Sequence, residues 1–138
     1  MPSATPDQLV RQFCAGFSAR NATALKALFG PHALFEFPFL QPRLVGQSEI
    51  WAGLERAFEI ADGIAIELQV VKENGGHAIA EGRMEAHVAR DDLSIAVPFA
   101  LVAEARDGKL GRLSIYCDAH PYRLWSDGPV MAFDTEVR

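Results

Sequence analysis

At Asp62-Gly63 the apolar residues change period, and that change restricts the fold more than any other feature of the chain. Before it, apolar positions recur every three or four residues, as on one face of a helix; after it they alternate, as on one face of a strand. Thr5-Pro6-Asp7-Gln8 reads as a helix start with a capping-box partner, followed by a stripe of Leu9, Phe13 and Phe17 with Val10 and Cys14 beside it. Asn21 can cap a second short helix with Leu25, Leu28 and Phe29 as its apolar side, which Gly30-Pro31 is expected to stop. A short strand is expected over Leu34 to Phe39, and a third helix over Gly46 to Ile60, where Ile50, Leu54 and Phe58 recur with Trp51 flanking them. Four strands follow, Ile64 to Lys72, Ala78 to Arg90, Leu93 to Arg106 and Leu110 to His120. The turns between them fall at Asn74-Gly75-Gly76, Asp91-Asp92 and Asp107-Gly108, so the strands form an antiparallel meander. The reading is an α+β fold in one domain over residues 1–138, with a tail from Trp125 to Arg138 that packs on the sheet, packs on a partner subunit, or frays.

Charge and composition exclude several classes. The chain carries a net charge of -5 with no run of like charges, which argues against nucleic acid or an anionic membrane as a partner. No apolar stretch approaches membrane-spanning length, and the first residues lack a signal-peptide pattern, so a cytoplasmic protein is expected. Cys14 and Cys117 are too few and too far apart for a disulfide framework or a C-x-x-C metal site. No histidine and carboxylate spacing suggests zinc or iron, and no phosphate-cradling or dinucleotide fingerprint is present, so neither metal nor cofactor is expected.

The chemistry concentrates in the second meander strand. Glu81, Arg83, Glu85 and His87 occupy alternate positions, with Gly82, Met84, Ala86 and Val88 between them, so four ionisable groups share one face. Facing water, they make a half-buried strand with a charge ladder in which Arg83 bridges Glu81 and Glu85. Facing a cavity, they make an acid–base site, since imidazole with carboxylate is the simplest pair for moving a proton near neutral pH. Phe13, Phe17, Phe37, Trp51 and Leu54 could wall a site for a flat, apolar ligand, or simply pack as core.

Ala33-Leu34-Phe35-Glu36-Phe37-Pro38, Leu44-Val45-Gly46-Gln47-Ser48-Glu49-Ile50, and Asp107-Gly108-Lys109-Leu110 leading to Tyr116-Cys117-Asp118, taken with the element order, resemble the nuclear transport factor 2-like superfamily. Within it the chain is most similar to the SnoaL-like branch of polyketide cyclases, ketosteroid isomerases and phenazine-biosynthesis proteins, over about residues 6 to 122. The resemblance implies a cone-shaped, strongly curved sheet wrapped around three helices, a deep apolar pocket for a hydrophobic small molecule, and a homodimer joined through the outer face of the sheet. It also implies that Glu81, Arg83, Glu85 and His87 line the pocket while Met84, Ala86 and Val88 face outward. Glu85 or His87 would then move a proton, and Arg83 would steady negative charge on oxygen. Cys117 would face the cavity, while Asp118 and His120 would lie near its mouth, pointing outward unless the strand bulges. The isomerase's catalytic tyrosine and two acidic positions fall on Phe13, Phe37 and Ala100, so steroid isomerisation by that mechanism is not expected. Two functions follow: a cofactor-free isomerase, cyclase or hydrolase acting on a hydrophobic metabolite, or a non-catalytic module of the same fold that binds a ligand or a protein.

Overall fold

In the computed structural model, which describes residues 3–39 and 43–118, helix α1 runs Pro6–Ser18 and opens on the capping box that the sequence predicts. The Thr5 hydroxyl accepts from the Gln8 amide, and the Gln8 side chain accepts from the Thr5 amide at 2.9 Å. Asn21 caps α2, Ala22–Leu28, by accepting from the Ala24 amide at 3.1 Å. α3 spans Gly46–Ile60 and buries Ile50, Leu54 and Phe58, as its spacing requires. Its first turn is held by the Glu49 carboxylate, which accepts from the Val45 amide at 2.8 Å.

The strands are β1 (Phe29–Glu36), β2 (Arg43–Val45), β3 (Ala61–Asn74), β4 (His77–Val88), β5 (Leu93–Arg106) and β6 (Lys109–Cys117). Together they form a curved, unclosed sheet in the order β2-β1-β6-β5-β4-β3. All neighbours are antiparallel except β1 and β6, which run parallel. The fold is α+β, with the three helices on one face of the sheet. β1 begins earlier than the sequence suggests, because Phe29 leaves α2 in extended conformation and pairs with Leu110. Gly30 and Pro31 therefore lie inside a strand and do not form a helix stop, and Pro38 follows the strand in a turn. The Asp107-Gly108 hairpin has φ of +56° and +76°, the left-handed pair that such a tight turn demands.

The inner face of the sheet meets α1 through Leu9, Val10, Phe13 and Phe17. Six phenylalanines form a connected interior chain: Phe58 contacts Phe17, Phe17 contacts Phe13, Phe13 contacts Phe29 and Phe35, and Phe35 contacts Phe37. Centroid separations of 5.2 to 6.2 Å with stacked, tilted and edge-on rings are the favourable range for aromatic packing. His120 and the tail from Trp125 lie outside the described residues.

Candidate functional site

Burial along the inner face is uneven. At the end of the sheet near the β3–β4 and β5–β6 turns, Ala78, Ala80, Leu101, Ala103, Leu110 and Leu113 are 1 % exposed or less. Toward the other end, Phe17, Phe58, Met84, Phe99 and Cys117 retain 6 to 9 % exposure. Ile64, Ile66 and Phe37, packed on the same core, are only half-buried. The last turn of α1 carries Phe17 toward this second end. Phe58 reaches it from the last turn of α3, backed by Arg20, which donates to the Phe58 carbonyl at 2.6 Å and stacks over its ring at 5.9 Å. Ser18 accepts from the Ile66 amide at 3.0 Å and ties the same turn of α1 to β3.

The ionisable ladder is on the other side. In β4 the buried residues are Ala78, Ala80, Gly82, Met84, Ala86 and Val88, and Glu81, Arg83, Glu85 and His87 point out from the outer face. The expected inward ladder is thus displaced by one residue. The reason is packing: the apolar row must meet α1 and its cross-strand partners Ile66, Val97, Phe99 and Leu101, and with strict alternation only one row can do so. Met84, Ala86 and Val88, expected on the outer surface, form part of the interior instead. Arg83 Nε lies 3.7 Å from Glu85 Oε2, an exposed pair.

His87 is the most tightly held of the four. Its Nδ1 is 2.7 Å from Asp62 Oδ1 and its Nε2 is 2.9 Å from Asp92 Oδ1. Hydrogen bonds to Asp92 and then Asp62 raise its pKa above 6.5, and the bond to His87 lowers that of Asp62 below 3.8. His87 therefore adds stability that is complete below 6.5 and is lost as pH rises through its folded value. Asp62 adds stability present above 3.8 and lost as pH falls through its folded value, so the bridge is strongest between the two.

The remaining expected site residues divide by position. Phe13 and Leu54 are fully buried core, Phe17 is buried against Phe13 and Phe58, and Phe37 sits half-buried against Phe35. Trp51 is half-exposed with Lys26 Nζ 4.6 Å over its ring, so it faces α2 and does not wall the interior. Cys117 points inward as expected, and burial pushes its thiol up to about 11. Cys14, deeper on α1, is pushed to about 12 for the same reason, and both thiols are protonated and poorly nucleophilic at neutral pH. Asp118 is exposed just past the end of β6. Ala100 faces outward opposite Tyr116, and its inward neighbours Phe99 and Leu101 are no more able to carry a proton. Met84, Phe99, Ile64 and Ile66 join this interior from the apolar positions of the alternating strands, and Phe58 joins it from α3.

On the outer face, a groove of about 380 Å³ is lined by Gln69, Glu81, Gly82, Pro98, Phe99, Ala100 and Tyr116. Beside it, Ser114 is wholly buried although it shares the outward row with Arg112 and Tyr116. It donates to Glu36 at 2.7 Å, and Arg112 donates to Ser114 at 3.0 Å and to Glu104 at 2.8 Å. Among the described residues no group of three or more His, Cys, Asp or Glu could hold a metal ion, and no helix is long and apolar enough to cross a membrane.

Comparison with solved structures supports the architecture. A ketosteroid isomerase-like protein from Catenulispora acidiphila, solved with trimethylamine, is similar at 19% identity over 89% of this chain and 94% of its own, with a TM-score of 0.78. An LEH-like epoxide hydrolase of Mycobacterium tuberculosis is similar at 16% identity over 84% of each chain, with a TM-score of 0.74. TerC, co-crystallised with polyporic acid, is similar at 19% identity over 88% of this chain and 98% of its own, with a TM-score of 0.74. At these identities the likeness speaks to fold. Comparison with curated protein sequences returns no match. The SnoaL-like domain profile matches residues 10–113, well over half of the chain, and the protein belongs to the SnoaL-like family.

Proposed function

We propose that this protein takes up a hydrophobic small molecule at the open end of its apolar interior, between the last turns of α1 and α3 and the inner faces of β3 to β6, and that it does so without a cofactor. One observation supports the reading: apolar residues aimed at the interior, Phe17, Phe58, Met84, Phe99, Ile64 and Ile66, keep accessible surface toward that end. Apolar surface left uncovered at a concave rim is what an apolar ligand buries most favourably. Inward-facing described residues there supply rings, aliphatic groups and protonated thiols, and no carboxylate or imidazole. The reading is therefore of binding first. Glu85, His87 and Arg83 stand on the opposite face of the sheet from such a ligand.

Catalysis on the bound molecule is the second reading. Asp118 favours it, since this carboxylate follows the inward Cys117 and is near enough to raise its thiol pKa. A proton donor or acceptor at that place could serve an isomerase, cyclase or hydrolase. Two further readings attach to the first. The outer face pairs two copies into a homodimer, supported by exposed Ile79 and Val70 on it. The two free, buried thiols suit a reducing compartment such as the cytoplasm.

A thermal-shift screen with aromatic acids and polyketide-like compounds tests the binding reading. A ligand at a hundred times its Kd should raise Tm by ~9 °C. Met84→Gln should abolish the shift, and Glu85→Gln and His87→Ala should keep it. The reverse pattern would move the site to the outer face and defeat the proposal. For any compound found, Asp118→Asn separates turnover from binding.

A further inference from the structure

Neither reading above uses the arrangement around His87. A carboxylate oxygen lies within hydrogen-bond distance of each ring nitrogen, 2.7 Å at Nδ1 and 2.9 Å at Nε2. Both contacts are satisfied only when both nitrogens carry protons, so the geometry is that of an imidazolium. A neutral ring has one N–H, and its other nitrogen would turn a lone pair toward a carboxylate.

The two carboxylates are not equally held. Asp62 sits in β3 between two residues fixed by pairing, Ala61 with Val88 and Gly63 with His87. Arg20, from the turn between α1 and α2, also acts on Asp62 to keep it ionised. Asp92 closes the connection between β4 and β5, after the single 3-10 turn Ala89–Asp91. Its side chain is 96% exposed, and its backbone is left-handed at φ +48°, a conformation that a non-glycine residue adopts only at some cost. Of the other groups near the ring, Glu85 shares its strand face, Ser94 lies opposite on β5, and Arg90 belongs to the 3-10 turn.

We propose that His87 is a proton-operated latch for the β4–β5 connection: doubly protonated, it ties Asp92 down, and on losing one proton it keeps Asp62 and releases Asp92. The released segment is residues 89–92, between Val88 and Leu93 at the rim end of the sheet. Loss of the proton thus loosens the β4–β5 connection itself. The inference stands apart from the binding proposal, because it is read on the turn itself.

The reporter is the Asp92 amide, which donates to the Ala89 carbonyl at 3.2 Å. Hydrogen–deuterium exchange of the full chain at about pH 5.5 and about pH 8, corrected for intrinsic base catalysis, brackets the titration of an imidazole. Protection at this amide should fall about threefold at the higher pH in the native protein, the scale of one exposed ion pair. In His87→Gln it should be equally low at both. Asp92→Asn keeps a residue that tolerates left-handed backbone, and by NMR it should move the His87 titration down toward 6.5. Protection that ignores pH in the native chain, or a His87 titration that ignores Asp92→Asn, would overturn the latch. Should His87→Gln fail to fold, the exposed Asp92→Asn variant carries the comparison alone.

Discussion

A methyl group on Gly82 would collide with the Glu67 carbonyl oxygen and sit 2.9 Å from the Phe99 ring. One of these neighbours is backbone of the paired strand and cannot step aside, so the glycine lets β3 close on β4 while Phe99 covers the gap from β5. Gly82→Ala should therefore cost about 2 kcal/mol in urea denaturation, in the range of core overpacking, although alanine fits strands better than glycine elsewhere. At this scale the sequence shows alternation clearly and phase poorly. Period two has two solutions, and only the apolarity of each row, not the alternation itself, distinguishes Met84 from Arg83 as the inward residue. The plain hydrophobic rule, that the row of Ala78, Ala80, Met84, Ala86 and Val88 goes inside, would have chosen correctly. Superposing a family pattern without gaps moved the register by one, and a slip of one reverses every side chain. The tie of His87 to Asp62 is equally hidden, because a residue 25 positions away in sequence leaves no local mark.

Among the elements, those with local signals were the most legible. α1 and α3 appear over the spans their spacing suggests, and α1 carries its expected cap. Thr5→Ala removes one half of the capping box and should lower stability by about 1 kcal/mol, measured by chemical denaturation and accompanied by a small loss of helical circular dichroism. Elements made by distant partners were not legible. β1 starts at Phe29 because β6 is there to pair with it, and the parallel contact of Phe29 with Leu110 joins residues 81 apart. β2 is three residues, Arg43–Val45, too short for any period to register. Glu36 is half-buried because Ser114 and Arg112 from β6 converge on it, a pairing no local pattern marks.

The whole molecule has two unlike surfaces on one sheet, and the closing prediction concerns the outer one. The helices cover the inner face, whereas the outer face shows Ile79 at 55% and Val70 at 39% exposure beside Ala100, Pro98 and the groove at Tyr116. Around these apolar residues stand charges of both signs, Glu81, Arg83 and Glu85 on β4 and Glu104 and Arg112 on β5 and β6. An apolar centre with a mixed charged rim is the form of a self-complementary interface. Earlier expectation gave the dimer surface to Met84, Ala86 and Val88, and those residues are interior. The reversal leaves the dimer proposal standing on different residues. Ile79→Glu places a carboxylate near the centre of that patch, beside Glu81, without touching the core. If two copies pair through this face, sedimentation velocity should find the native chain as a dimer and this variant as a monomer at the same concentration. Its ligand-induced thermal shift should survive, because the apolar opening lies across the sheet. A native monomer, or a variant that remains dimeric, would remove the outer face from the assembly and leave the charged ladder as a solvated surface.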